Sequence, residues 1–156
     1  MGLFNWKKKE TFLCPMTGIV HPMEDVPDPV FSQKIMGDGF AVELTAGEVK
    51  APLSGQIAAA FPTGHAFGIR TKNGLEVLLH IGIDTVSLEG KGFQVKVKEG
   101  DFVKQGDILV IVDVNYIKTQ GKSVYSPVIF TSGQKIILNK TGLAAAGDEN
   151  IITITN

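Results

Sequence analysis

The chain has few of the residues that would point to a secreted, membrane-spanning or metal-cluster protein. Cys14 is the only cysteine among its 156 residues, which excludes an internal disulfide and any cluster of cysteine metal ligands. No apolar run approaches the roughly 18–20 residues that a transmembrane helix requires. No signal peptide is predicted, because the lysines at 7–9 follow the apolar residues and no long apolar segment comes after them. We therefore expect a cytoplasmic protein.

An excess of charge of one sign is also missing. The chain has 15 Lys and Arg against 16 Asp and Glu, for a net charge of -1. Since binding to a phosphate backbone needs a basic excess, nucleic acid is not expected as a partner. The sequence also lacks a Gly-x-x-x-x-Gly-Lys-Ser/Thr loop, a kinase signature and a dinucleotide fingerprint. Any phosphate that reaches this chain must therefore come from another protein rather than from bound ATP.

The residues that are present are typical of a β-rich fold. With 18 Gly, 7 Pro and a hydrophobic fraction of 44%, the sequence predicts short strands separated by turns. Evidence for helices is confined to 29–34 and 114–120. We predict an all-β fold, an antiparallel β-sandwich or barrel-like single domain with short helical turns. Residues 1–11 are predicted to form a flexible tail, and residues 12–156 the domain.

Alternating apolar and polar residues between Gly and Pro turn signals predict the positions of the strands. The pair Asn73-Gly74 between two apolar runs also predicts a hairpin. The predicted strands are 11–13, 18–20, 40–44, 48–51, 55–60, 67–71, 77–81, 93–97, 108–112, 123–126, 128–131 and 151–154.

The stretch 75–84, LEVLLHIGID, carries the first chemical signal. Taken as a strand with period two, it has a purely apolar face and a second face with His80, Gly82 and Asp84. A glycine inside a strand adds no packing and costs entropy. We therefore interpret Gly82 as space beside His80 for a phosphoryl group or an approaching partner surface.

The predicted hairpin brings a second histidine close to the first. Pairing around its turn puts residue 65 or 66 within about one step of residue 81 or 82, so we expect His65 to lie near His80. One imidazole can attack phosphorus while the other, together with the Thr63 hydroxyl, donates hydrogen bonds to the phosphoryl group.

Two histidines can also bind Zn²⁺, but a structural site normally has four ligands and a catalytic site three. No third ligand is obvious apart from Asp84, Asp38 or His21. A zinc hydrolase is therefore a remote alternative to a phosphohistidine protein.

Several segments resemble the glucose-type enzyme IIA family of the bacterial phosphoenolpyruvate:sugar phosphotransferase system. The most specific is HIGIDTV at 80–86, and HAFGI at 65–69, EDVPDPVF at 24–31 and SPV at 126–128 also fit. The resemblance extends from about Phe12 to Ile154. It implies an antiparallel all-β sandwich with a shallow apolar active-site depression.

The resemblance also implies roles for individual residues. His80 would be phosphorylated on Nε2, His65 would stabilise the phosphoryl group, and Thr63 would tune the His65 ring. Acidic residues at the rim would face basic partner surfaces, and an apolar collar would surround the site. The rim residues are Asp28 and Asp84, and the collar residues are Val30, Phe31, Phe61 and Leu78.

Partners follow from the same resemblance. The donor would be the small histidine phosphocarrier protein, and the acceptor the cysteine of a IIB domain of a glucose-type permease. No cofactor would be required, although some members bind Zn²⁺ through the two histidines and a partner's carboxylate. The tail 1–9 would contact the membrane peripherally.

A binding module that regulates other transport or metabolic proteins stays open as an alternative. Since phosphorylation adds nearly two negative charges at neutral pH, the carrier state could itself be the regulatory switch.

Overall fold

The computed structural model describes residues 10–155 and has mostly β-strands. The α-helices are α1 Pro29–Ser32 and α2 Val114–Thr119, and 3₁₀ helices span Met23–Asp25 and Thr85–Leu88. The strands are β1 Gly18–Pro22, β2 Asp38–Leu44, β3 Glu48–Lys50, β4 Gly55–Ala60, β5 Ala66–Arg70, β6 Glu76–His80, β7 Phe93–Val95, β8 Phe102–Val103, β9 Ile108–Val112, β10 Tyr125–Phe130, β11 Lys135–Leu138, β12 Gly142–Ala144 and β13 Ile152–Thr155.

These strands form three antiparallel sheets. The largest has eight strands in the order β12-β1-β2-β10-β6-β5-β4-β8, and β3-β9-β7 and β11-β13 form smaller sheets. Both predicted helical segments are present, with shorter bounds than expected. The prediction of an antiparallel all-β fold with short helical turns is therefore confirmed.

Strand β6 lies in the middle of the large sheet, and its alternation sets the position of the site. Val77 and Leu79 point into the main apolar core and are almost fully buried, whereas Leu78 and His80 are half-buried on the other face. The core is densely aromatic, because Phe40, Phe67 and Phe130 are inaccessible to solvent. His80 is therefore the last residue of a strand that packs on the core and pairs with β10 on one side and β5 on the other.

The hairpin predicted from Asn73-Gly74 connects β5 and β6. Ala66 pairs with His80, and the amide of Ile81 donates to the carbonyl of His65 over 2.7 Å, which extends the ladder by one residue. Gly74 has a φ of +90°, a conformation that favours glycine in such turns. The predicted pairing, with residue 65 close to residue 81, is confirmed.

The predictions for three strands are wrong. Residues 11–13 form no strand, although the Phe12 ring packs against the core with centroid distances of 6.1 Å to Phe40 and 5.6 Å to Phe130. The predicted strands 123–126 and 128–131 are one strand, β10, which continues through Pro127. A proline removes one ladder hydrogen bond. Here it lies opposite Ala41 of β2, one residue before β10 begins to pair with β6.

Three short strands were missed from the sequence. These strands, β8, β11 and β12, have two to four residues each. Strands β8 and β12 are the edges of the large sheet, and β11 belongs to the two-stranded sheet. Segments of this length do not carry enough alternation to be recognised.

The start of the described chain is held against the domain. The Glu10 carboxylate accepts hydrogen bonds from the Ser54 amide at 2.7 Å and the Ser54 hydroxyl at 2.5 Å. The Gln105 side chain also donates to the carbonyl of Thr11. Glu10 and Thr11 thus make specific contacts, although both were assigned to the tail. The domain boundary itself stays a prediction.

Candidate active site

The two histidines of interest lie next to each other. His80 is the last residue of β6, and His65 directly precedes β5. Their ring centroids are 5.5 Å apart, and the ring planes are inclined at 75°. His65 is buried, with 7% of its surface exposed, and His80 is half-buried. The predicted proximity of His65 and His80 is confirmed.

A backbone carbonyl determines the tautomer of His80. The Nδ1 atom lies 2.8 Å from the carbonyl oxygen of Gly82. Because a carbonyl only accepts hydrogen bonds, Nδ1 must carry the proton and donate it. In the neutral ring the other nitrogen, Nε2, then has a free lone pair. The Nε2 atom of His80 is therefore the ring nitrogen that is available to react with an electrophile.

A threonine holds the ring of His65. The Thr63 hydroxyl oxygen lies 2.5 Å from His65 Nδ1. When the hydroxyl donates to Nδ1, the proton of the neutral ring is on Nε2, which becomes a hydrogen-bond donor. Gly64, with a φ of +74°, makes the turn between these two residues. In this tautomer of His65, the pair combines a free nitrogen lone pair on His80 with a ring N–H donor on His65.

Burial keeps both rings uncharged at neutral pH. Desolvation lowers the pKa of His80, while the hydrogen bond to Gly82 and the negative charge of Asp28 act in the opposite direction. Desolvation also lowers the pKa of His65, and the charge of a protonated His80 lowers it further. Since the ordinary value is about 6.5, both imidazoles are neutral at pH 7.

The predicted apolar collar divides into exposed and buried members. The Phe31 ring packs on His80 and the Phe61 ring on His65, each with a centroid distance of 5.0 Å. Phe61 is 47% exposed and Val30 42%. Phe31 and Leu78 instead pack in a small second core under the site. The other residues of that core are Met23, Val26, Ala41, Ile129 and the half-buried Ile83.

The two predicted rim carboxylates are held in different ways. Asp28 caps α1 by accepting a hydrogen bond from the Val30 amide over 2.9 Å. The exposed Asp84 accepts one from the Lys122 ammonium at 3.0 Å. The interpretation that Asp84 shares a strand face with His80 is wrong, because β6 ends at His80 and residue 84 has a φ of +62°.

The interpretation of Gly82 as open space is also wrong. Gly82 is buried, and a Cβ atom there would lie 2.6 Å from Thr85 Cγ2 and 2.8 Å from the carbonyl oxygen of Ser123. Its φ of +71° is one that L side chains rarely adopt. Glycine is required here because the chain turns tightly after β6 and returns its carbonyl to His80.

We expect Gly82→Ala to destabilise the protein by roughly 2–5 kcal/mol, because left-handed strain and overpacking add together. Gly74→Ala is the matched control, since Gly74 also has a positive φ but no atom within 4 Å of the Cβ position. Urea unfolding of both variants measures the difference. Equal destabilisation by the two substitutions would show that crowding at Gly82 has no effect.

Sequence reasoning assigned no role to Ser126, which the structure places behind His80. This serine is fully buried on β10, where its hydroxyl accepts from the Gly82 amide and donates to the Val124 carbonyl, both at 3.0 Å. The signals in the sequence were a hydroxyl residue in a largely apolar strand and its place in the SPV segment at 126–128 that resembles the family.

The candidate third zinc ligands are engaged elsewhere. Asp38 bonds to Lys34 and to two backbone amides, His21 to Glu43, and Asp84 to Lys122. Among residues 10–155, no group of three or more His, Cys, Asp or Glu could hold a metal ion. His65 and His80 supply two ligands at most, so a zinc site shared with a partner's carboxylate stays a prediction.

No helix within the described part of the chain is long and apolar enough to cross a membrane. The predicted membrane contact of residues 1–9 lies outside the described residues.

Comparisons with known proteins show to which family the chain belongs. Residues 10–136 match the model of the family described as phosphoenolpyruvate-dependent sugar phosphotransferase system, EIIA 1. The glucose-specific EIIA components of two Staphylococcus epidermidis strains are each 45% identical over 145 residues, which cover 91% of this chain and 87% of theirs. The structure of glucose permease IIA from Mycoplasma capricolum superposes with a TM-score of 0.87 at 42% identity, covering 94% of this chain and 97% of that one. This chain therefore belongs to the EIIA 1 family and is a phosphocarrier, a phosphotransferase component of the sugar phosphotransferase system.

Proposed function

We propose that His80 carries the phosphoryl group on Nε2. The observation that supports this most directly is the hydrogen bond from Nδ1 to the Gly82 carbonyl, which leaves Nε2 as the nitrogen with the lone pair. Burial lowers the pKa of the ring, so this lone pair is free at neutral pH.

The proposed reaction has two displacements at phosphorus. In the first, the Nε2 lone pair forms an N–P bond while the P–N bond of the donor's phosphohistidine breaks, and the donor ring leaves with the electron pair. The phosphorylated His80 ring keeps its Nδ1 proton on the Gly82 carbonyl. In the second, a cysteine thiolate attacks the phosphorus and the N–P bond breaks, which returns neutral His80.

We assign to His65 the stabilisation of the phosphoryl group during transfer. Its Nε2–H is a neutral donor when the Thr63 hydroxyl donates to Nδ1. Thr63 thus acts as a positioning residue for the His65 ring. The Phe31 and Phe61 rings, one beside each imidazole, exclude water from the faces that they cover.

The partners that we propose are the small histidine phosphocarrier protein as donor and the IIB domain of a glucose-type permease as acceptor. The exposed Val30 and Phe61 supply an apolar contact surface. Asp28 and Asp84 supply carboxylates for basic partner residues, although Asp84 must exchange Lys122 for a partner's cation. We expect these reactions to occur in the cytoplasm. The same surface would serve a regulatory role, which phosphorylation would switch by adding charge.

Incubation with phosphorylated donor carrying labelled phosphate tests the proposal. We expect the chain to take up label in a form that is labile in acid and stable in base. Because the pKa of His80 is lowered, uptake should be sustained at neutral pH and fall only at a more acidic pH than expected for an ordinary histidine, where the ring gains a proton.

Donor alone is followed at each pH to correct for its own hydrolysis. A chain that takes up no label, or whose label withstands acid, contradicts the proposal. Pull-downs separate the two regulatory hypotheses. Partner binding that does not change when His80 is phosphorylated favours a plain binding module over a regulator that phosphorylation switches.

A further inference from the structure

The carbonyl that orients the His80 ring belongs to Gly82, which has no side chain to restrict its backbone conformation. Glycine adopts a wider range of φ and ψ than any other residue, and Gly82 lies three residues beyond Leu79, the last residue of β6 that pairs with β10. Since the direction of its carbonyl selects the nitrogen of His80 that bears the proton, something outside this loop must hold Gly82.

Both peptide groups that flank the Gly82 Cα are tied to the chain entering β10. The amide of Gly82 donates to the Ser126 hydroxyl at 3.0 Å, and the amide of Ile83 donates to the Ser123 carbonyl at 3.1 Å. The first bond fixes the peptide plane before the Cα, and the second fixes the plane after it. Together they determine φ and ψ of Gly82 and hence the position of its carbonyl oxygen.

The bond to Ser126 differs from the other because a side chain makes it. The Ser126 hydroxyl hydrogen is used by the Val124 carbonyl at 3.0 Å, so its oxygen lone pairs face the Gly82 amide. The result is a continuous path from Val124 through Ser126 and Gly82 to His80 Nδ1. The Gly82 N–H and carbonyl belong to peptide groups on opposite sides of its Cα, so Ser126 acts on His80 by fixing the backbone conformation of Gly82.

We propose that Ser126 is a positioning residue for phosphoryl transfer, which holds His80 in the Nδ1-protonated tautomer through the backbone of Gly82. This inference rests on the proposed function of His80 and adds a residue that touches neither the phosphoryl group nor a partner. Without the hydroxyl, the buried Gly82 amide loses its acceptor, and the loop relaxes to satisfy it.

The test compares Ser126→Ala with Ser132→Ala. Ser132 is the matched control because its hydroxyl also accepts from a β6 amide, that of Glu76 at 2.7 Å, but at the end of β6 remote from His80. We expect Ser126→Ala to slow uptake of labelled phosphate from the donor roughly tenfold, an effect typical of residues that orient a reacting group indirectly. Ser132→Ala should leave the rate of uptake unchanged.

The ¹⁵N chemical shifts of His80 in the unphosphorylated protein provide a second measurement that needs no activity. Wild type and Ser132→Ala should show the Nδ1-protonated tautomer, and Ser126→Ala a mixture of both tautomers. The titration midpoint of His80 should also move lower in Ser126→Ala, since the hydrogen bond to Gly82 raises the pKa. Ser126→Cys, which keeps the size but offers a weak acceptor, gives the same comparison if the alanine variant does not fold.

Slower uptake with an unchanged tautomer would mean that Ser126 has only a structural role, and it overturns the inference. Wild-type uptake with a wild-type tautomer in Ser126→Ala also overturns it. If wild type itself takes up no label, the proposed function fails, while the ¹⁵N shifts still decide whether Ser126 orients His80.

Discussion

His80→Ala is expected to abolish uptake of labelled phosphate, to below about one thousandth of the wild-type rate. The reason is that the variant lacks the attacking nitrogen. His65 cannot take over when the Thr63 hydroxyl donates to its Nδ1, because Nε2 then bears the proton and has no free lone pair. Quenched-flow labelling with the phosphorylated donor measures the rate.

His21→Ala is the matched control for this substitution. His21 bonds to Glu43 at 3.0 Å and lies against Tyr125, and it contacts neither His65 nor His80. The control should take up label at the wild-type rate. Both variants must unfold at similar urea concentrations, because His80 packs on Phe31 and its loss removes some apolar contact. Label on a folded His80→Ala variant at the normal rate would mean that another residue carries the phosphoryl group.

His65→Gln should still accept phosphate within a few-fold of wild type but pass it on roughly a hundredfold more slowly, the cost typical of losing one well-placed donor. In the proposed reaction uptake survives, because His65 does not bond to phosphorus and the attacking His80 is a neutral ring. Onward transfer suffers because the attacking group is a cysteine thiolate. Its negative charge approaches the phosphoryl oxygens, and the repulsion must be offset by the His65 donor.

Single-turnover experiments separate the two steps. The variant is first loaded with label, purified from the donor and then mixed with a IIB domain. His21→Gln makes the same chemical change away from the pair and should transfer at the wild-type rate. Equal transfer from wild type and His65→Gln would remove the assigned role, and an equal loss in both steps would mean that His65 mainly supports the structure around His80.

The correctly predicted contacts of the site are between residues that are close along the chain or that lie on strands connected by one hairpin. His65 and His80 belong to two strands connected by one tight turn, so the register of a single hairpin predicted their proximity. Thr63 is only two residues from His65, which is close enough for its hydroxyl to reach the ring. The family resemblance supplied the roles of these residues, which their spacing alone left open between phosphate transfer and metal binding.

The two wrong interpretations of site residues, Gly82 and Asp84, both concern the loop after His80. Period two predicts a continuing strand through Gly82 and Asp84, but the backbone turns left-handed at both residues. Nothing in a window of ten residues reveals this turn, because the acceptors that hold it belong to Ser123 and Ser126. Similarly, Phe31 and Leu78 share a small core, although they are far apart in the chain.

The sequence by itself therefore determined the all-β class and the hairpin that pairs the histidines. Those features depend on alternation and turn chemistry, which are local properties of the chain. Only the tertiary structure decided which nitrogen of His80 is free, why residue 82 must be glycine, and that Ser126 lies behind the site. The physical reason is that hydrogen bonds between β10 and the loop after β6 set these features, and they form only when segments some forty residues apart are folded together.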